Sequence, residues 1–283
     1  MSNERGVLYV VATPIGNRGD LSPRALEVLR GVDLIAAEDT RHSGPLLRDL
    51  GVRTPLRSMH EHNERQLLEG LLQRLEQGQD LALISDAGTP LISDPGFPLV
   101  RECHRRGLRV APVPGPSAAI CALSAAGLPS DRFLFQGFPP RGSSARRELF
   151  GRLQGETATL IFYESSHRIE SSLADMVHGF GGQRPAVLAR ELTKRHETIR
   201  LATLERLLQL VRADADQRRG EFVVLVAGAP AAAAGEVSPE AERILEILLQ
   251  ELPVKQAAAL TARITGEKKN PLYQRALRKG GDE

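Results

Sequence analysis

Cysteine is nearly missing from this sequence: its 283 residues include two, Cys103 and Cys121. Two thiols without metal-type spacing argue against a disulfide framework, so both are expected to be reduced. Long hydrophobic runs are missing as well. After the polar opening Met1-Ser2-Asn3-Glu4-Arg5, the apolar run Val7 to Ala12 is too short for a secretory core or a membrane span, and a cytoplasmic protein with no membrane partner is expected. No charge dominates, since 37 Lys and Arg stand against 35 Asp and Glu, a net +2. The imbalance that exists is local: residues 252–283 carry seven basic against three acidic side chains, a +4 tail on a −2 remainder. Such a tail fits either an anionic partner or a solvated helical face. What the chain does have is enough apolar content, 41% of its residues, to bury a core in about two domains.

Apolar runs alternate with helix-period segments as far as about residue 228, the pattern of an α/β protein. Strands are expected near 7–12, 33–37, 81–85 and 109–113, then near 132–136, 157–163, 185–189 and 221–227. Ser22-Pro23 caps a helix that Gly31 closes, and Leu67, Leu68, Leu71, Leu72 and Leu75 form the stripe of a second helix ending at Gly78. Further helices are expected at about 144–153, 166–178 and 203–212. Pro112, Pro114 and Pro116 around Gly115 interrupt the pattern, so one domain is placed over 1–114 and a second over 115–230. Ala231-Ala232-Ala233-Ala234-Gly235 reads as a linker. Beyond it, 236–283 reads as a small helical domain with the outline of a helix-turn-helix or of a simple bundle cap.

The stretch ISDAGTPLISDPGFP, residues 84–98, ends an apolar run in Asp, Gly and Pro, which marks a buried strand delivering a fixed loop. Phosphate is a poor ligand for it. Asp86 stands where a dinucleotide fingerprint needs its first glycine, and a carboxylate about 4 Å from a phosphate costs roughly 1–4 kcal/mol. No Gly-Lys-Ser/Thr P-loop occurs either. A cofactor with an amino group or a sulfonium suits the loop, and S-adenosylmethionine carries both. The same residues could also form no more than a strand-ending turn.

Four other segments bring polar residues to predicted strand ends: Thr13 to Asn17, Glu38 to Arg41, Phe162 to Ser165 and Arg190 to Lys194. Several such loops predict one cleft, because doubly wound sheets line it with the carboxyl ends of their strands. His60-Glu61-His62 could pair on a metal, but no third ligand cluster stands near it in sequence, so no metal is expected. Capping of the following helix, or substrate contact, suits these residues and Asn63 better. Gly115-Pro116-Ser117-Ala118 could cap the helix through Leu123, and Ser117 lacks a hydrolase elbow.

The stretches VVATPIGNRGDLSPRAL, AEDTRHS, HEHNE, LALISDAGTPLISDPGFPLV, PGPSAAICALSAAGLP, FYESSHR and ARELTKRHE, in this order, resemble the ribosomal RNA small subunit methyltransferase I family, a branch of the tetrapyrrole methylase superfamily. The resemblance runs from about residue 6 to residue 279. It implies two α/β domains of the tetrapyrrole methylase type with S-adenosylmethionine in the cleft between them, plus the C-terminal helical domain. It also implies a homodimer that methylates a cytidine ribose 2′-hydroxyl in the decoding region of 16S rRNA. Carried over by residue, cofactor contacts fall on Asp86, Ala87, Gly88, Thr89 and Pro90, with Pro14, Ser117, Ala118, Ala227, Gly228, Ala229 and Pro230. Ser166, Pro139 and Ser43 depart from the family's usual Pro, Leu and Thr, which puts local loop shape in question.

Methyl transfer to a hydroxyl needs alignment and a proton acceptor. Candidate catalytic residues are Asp39, His60, Glu164, Glu191 and Lys194, each of which could instead anchor a loop. Arg41, Arg141, Arg146, Arg147, Arg168 and Arg190, with Lys268 and Lys269 in the basic tail, are expected to meet RNA phosphates. Two other readings stay open: methylation of a tetrapyrrole, and a ligand-sensing regulator that binds nucleic acid through its tail.

Overall fold

The computed structural model describes residues 5–230 and 237–279. The first sheet contains β1 (Val7–Val11), β2 (Leu34–Ala37), β3 (Leu56–Ser58), β4 (Leu81–Ile84) and β5 (Arg109–Val113), in the order β3-β2-β4-β1-β5. Every pairing is parallel. Helices α1 (Pro23–Gly31), α2 (Thr40–Asp49), α3 (Glu64–Glu76) and α4 (Phe97–Arg105) cover both faces. The alternation of β4 shows why: Leu81 and Leu83 join the core beneath α3 and α4, whereas Ala82 and Ile84 join the core beneath α1 and α2. Ser22 caps α1 as the sequence predicts, accepting from the Ala25 N–H at 3.1 Å.

A turn through Pro114–Ser117 leads to α5 (Ala118–Ala125), whose buried Ala119, Ala122 and Leu123 pack on the second sheet. That sheet contains β6 (Phe133–Gly137), β7 (Thr159–Ser165), β8 (Pro185–Arg190), β9 (Thr198–Thr203) and β10 (Glu221–Val226), in the order β6-β7-β10-β8-β9. Helices α6 (Ser143–Arg152), α7 (Ile169–Phe180) and α8 (Leu204–Ala213) cover the face opposite α5, where Phe150, Phe162 and Phe180 form a ring cluster. Here the pairing is mixed. β6 and β7 are parallel, but β10 runs antiparallel to both β7 and β8, and β9 runs antiparallel to β8. Thus β6, β7 and β8 bring their carboxyl ends to one edge, and β9 and β10 bring their amino ends there.

The C-terminal unit packs α9 (Pro239–Leu249), α10 (Val254–Thr265) and α11 (Lys269–Lys279) around Leu245, Leu272 and four alanines. Ser238 caps α9, and Gly266, left-handed at φ 75°, ends α10. The predicted linker 231–235 lies outside the described residues. Among the described residues no helix is long and apolar enough to cross a membrane. Cys103 and Cys121 are free thiols.

Candidate active site

The strand ends of the two sheets meet around a cavity of about 350 Å³. On the first sheet's side its wall is the loop after β4. Main-chain bonds hold this loop: the Thr13 N–H donates to the Gly88 carbonyl at 2.9 Å, and the Gly88 N–H donates back at 3.0 Å. Gly88 has φ 83°, a conformation that suits glycine. The Thr89 hydroxyl ties the loop to the Pro116 carbonyl at 2.9 Å. Further along, Leu91 and Ser93 hold positive φ of 71° and 72°, and the Gly96 N–H donates to the buried Glu64 carboxylate at 2.9 Å. The loop is thus tied near both its ends, at Gly88 and Thr89 and again at Gly96.

Three carboxylates, Glu38, Asp86 and Asp94, face the cavity from this side. Asp86 accepts from the Asp39 N–H at 3.1 Å, and Glu38 accepts from the Asp86 N–H at 3.4 Å. Burial, reinforced by the neighbouring Glu38, pushes the Asp94 carboxyl up to about 6. Burial also raises Glu38. A site that stacks negative charge in a partly dry cavity favours a cation, which would relieve both the repulsion and the desolvation. Among the described residues no group of three His, Cys, Asp or Glu is arranged to hold a metal ion.

The second sheet supplies Tyr163, Glu164 and Ser165 from the end of β7, Leu192 and Lys194 after β8, Phe138 after β6, and Glu221 to Val223 from the start of β10. The Glu164 side chain is fully buried. Its Oε1 accepts from the Ser165 N–H and from Arg168, both at 2.8 Å, while Oε2 has no partner. The Lys194 ammonium sits 2.9 Å from Glu191 and 2.6 Å from Glu221. Burial alone would lower Lys194, but these carboxylates outweigh it and hold the ammonium above its ordinary value. Glu191, at φ 53°, is drawn down by Lys194 and the Glu221 N–H against the opposing effect of burial. The two halves approach closely at Gly16, where a Cβ would stand 2.4 Å from Lys194 Cγ and 3.0 Å from the Leu192 carbonyl oxygen.

Of the residues singled out in the sequence, Asp86, Ala87, Gly88, Thr89, Ser117, Ala118, Glu164 and Lys194 line the cavity. Pro14 and Pro90 are buried and do not line the cavity, although their chain neighbours Ile15 and Thr89 do. Ala227, Gly228, Ala229 and Pro230 require a correction. They follow the carboxyl end of β10, where the Ala227 N–H bonds to Pro185 and the Ala229 N–H bonds to Glu156, at the edge away from the cavity. The reversed direction of β10 puts Glu221 to Val223 at the site instead. Ser117 precedes α5 but makes no capping bond with its side chain.

Asp39 is engaged elsewhere: it caps α2 and pairs with Arg41 at 2.7 Å, and these bonds hold its carboxyl at about 2, too acidic for a base. His60 does not line the cavity; its backbone N–H bonds to Asn63, and its Nδ1 is buried without a partner. Lys194 lines the cavity, but its two carboxylates keep its ammonium protonated, which does not suit a proton acceptor.

Three of the expected phosphate-binding arginines are internal ties. Arg146 is buried, ion-paired with Asp175 at 2.7 Å, and donates to the Arg141 carbonyl at 2.7 Å. Arg168 links Glu164 to the Pro139 carbonyl, and Arg190 donates to the carbonyls of Arg219 and His196. Arg41 and Arg141 are exposed, as are Lys268 and Lys269, and Arg147 is half-exposed beside Asp175. The sequence places Glu38 and Tyr163 within cleft-facing segments without assigning them a role, and gives Asp94, Phe138 and Glu221 none; Asp94 lies within the quoted loop, so its signal is present in the sequence.

The family described as Tetrapyrrole (Corrin/Porphyrin) Methylases matches residues 7–208, and the RsmI C-terminal HTH domain matches residues 235–280. A protein of Pseudomonas aeruginosa named ribosomal RNA small subunit methyltransferase I is 59% identical over 277 residues, covering 98% of each chain. One of the same name from Escherichia coli is 54% identical over 99% of this chain and 97% of its own. Solved structures of similar fold include the uroporphyrin-III-C-methyltransferase of Thermus thermophilus, with a TM-score of 0.56, 23% identity and coverage of 79% of this chain and 94% of that one. A diphthine synthase aligns with a TM-score of 0.58 and 16% identity, over 78% of this chain and 90% of its own. The chain belongs to the ribosomal RNA small subunit methyltransferase I family, within the tetrapyrrole methylases.

Proposed function

We propose that this protein uses S-adenosylmethionine to methylate 16S rRNA, at the ribose 2′-hydroxyl of a cytidine in the decoding region. The observation that carries the reading is the cavity itself: Asp86 and Asp94 on the loop after β4, with Glu38 after β2, face a second wall that includes Glu164, whose Oε2 is buried and unpartnered. When bound, S-adenosylmethionine supplies an electrophilic methyl group on a sulfonium. Glu38, Asp86 and Asp94 hold its positive charge, Gly88 lets the backbone approach closely, and Ile15 and Leu192 exclude water. Of the five catalytic candidates Glu164 is best placed to take the hydroxyl proton, because its Oε2 is buried and unengaged. Glu191 and Lys194 position the β8–β9 loop, with Lys194 ion-paired to both Glu191 and Glu221. Arg41, Arg141, Arg147, Lys268 and Lys269 meet phosphates. The domains divide at 114/115 and after 230, and the protein acts in the cytoplasm as a homodimer.

Incubation with labelled S-adenosylmethionine and small ribosomal subunits, bare rRNA or a porphyrinogen tests this directly. Label on rRNA ribose is expected. Label on the porphyrinogen alone, or none with cofactor bound, would refute it.

A further inference from the structure

Phe138 takes no part in the chemistry above, yet it lines the cavity with 56% of its surface exposed. Its placement is built. The β6–β7 register shifts between Phe135 and Gly137, and Gly137 takes φ 64°, so the strand ends in a bulge that re-aims the next side chain. A Cβ at Gly137 would stand 2.8 Å from Ser93 Oγ and would be strained at this positive φ, so the bulge favours glycine. Behind the ring, Tyr163 meets Phe138 edge-on at 5.5 Å and Phe135 at 5.0 Å. The Tyr163 hydroxyl is itself fixed by the Ala119 N–H at 3.2 Å. After the ring, Arg168 and Arg146 hold the carbonyls of Pro139 and Arg141. Arg141, three residues on, is exposed and its guanidinium has no partner among the described residues. An apolar ring held this rigidly in water at the mouth of a polar site gains nothing for folding from its exposed surface.

We propose that Phe138 is a stacking platform for the unpaired base of the target nucleotide, with Arg141 taking an adjacent phosphate, so that the ribose is presented to the cavity. This rests on the rRNA-methyltransferase reading. An RNA base offers the matching chemistry, because every base has a π-face and single-stranded RNA is recognised by stacking on aromatic rings.

Three substitutions test it. Phe138→Leu keeps apolar bulk but removes the ring face, and it is expected to lower kcat/KM for rRNA about tenfold or more while S-adenosylmethionine affinity, measured by calorimetry, stays within twofold. Phe138→Trp is expected to retain activity. The natural chain has no tryptophan, so this variant also carries a single fluorophore whose emission rRNA should quench with or without turnover. Arg141→Ala should shallow the logarithmic salt dependence of rRNA binding by about 0.7–0.9. Wild-type kinetics in Phe138→Leu, loss of cofactor affinity in that variant, or an unquenched tryptophan in a protein that still methylates rRNA would each overturn the platform. A wild-type protein that neither binds nor methylates rRNA would instead bring down the functional reading, and the platform with it.

Discussion

The cleft-facing loops of the two sheets are tied down by different bonds. In the first, the loop after β4 is anchored by the main-chain Thr13–Gly88 bridge, to which the Thr89 hydroxyl and the Glu64 carboxylate add single side-chain bonds to backbone groups. In the second, the loop after β6 and the end of β7 are held by arginine side chains: Arg146 on Asp175 and the Arg141 carbonyl, Arg168 on Glu164 and the Pro139 carbonyl. Main-chain ties survive the replacement of most side chains. Ionic ties place the fate of a whole loop on one residue, because a buried charge that loses its partner is costly. The first sheet's side of the cleft is therefore expected to be the more robust to substitution and the second sheet's side the more fragile.

The sharpest break of this comparison is Asp175→Ala, which leaves Arg146 buried and unpaired. We expect a loss of about 3–5 kcal/mol in urea unfolding, whereas Thr13→Ala, which keeps both bridge bonds, should cost about 1 kcal/mol. Equal losses would erase the distinction. Gly88→Val comes next. It places a branched residue at φ 83° with its Cβ 3.3 Å from the Ile15 side chain, so the strain alone is about 1–2 kcal/mol, and calorimetry should show cofactor affinity falling at least about tenfold.

A smaller effect concerns pH. The Asp94 carboxyl ionises near 6 rather than at its ordinary value. A carboxyl raised by folding favours the folded state while protonated, so that contribution is present at low pH and lost as pH rises from about 4 through about 6. Cofactor affinity should move the opposite way and gain about tenfold from pH 5 to 8, as the cation meets an ionised carboxylate. Titrations of Asp94→Asn should be nearly flat; an unchanged profile would remove Asp94 from the site. The smallest effect is expected in the C-terminal unit. Replacing Lys268 and Lys269 with Ala should shallow the salt dependence of rRNA binding by roughly 0.7–0.9 per lost contact and leave stability within about 0.5 kcal/mol.

The same contrast explains what the sequence could reveal. Where strands are parallel, a run such as Leu81 to Ile84 followed by Asp, Gly and Pro announces a ligand loop, and Asp86 to Thr89 line the cavity as read. Strand direction is not written in a run such as Glu221 to Val226, and Ala227 to Pro230, carried over from the family resemblance, follow the end of β10 away from the cavity. Arginines advertise charge but not their partners. Nothing local says that Asp175 lies across from Arg146, or that backbone carbonyls await Arg190. Phe138 owes its exposure to a bulge, which composition cannot signal. β3 and β9 were passed over because one has three residues and the other is largely unburied.

Gly16 leaves no space for even a methyl group against Lys194 and the Leu192 carbonyl. The gap between the two walls is thus gauged by the Gly16 backbone against the ion-paired Lys194 side chain, the Thr193 hydroxyl and the Leu192 carbonyl. An in-line displacement tolerates little error, since a misplacement of about 1 Å can cost about a hundredfold in rate. Gly16→Ala would act as a shim in this gauge. It should leave each wall intact, keep the affinity of each for its own ligand, and slow the reaction between them.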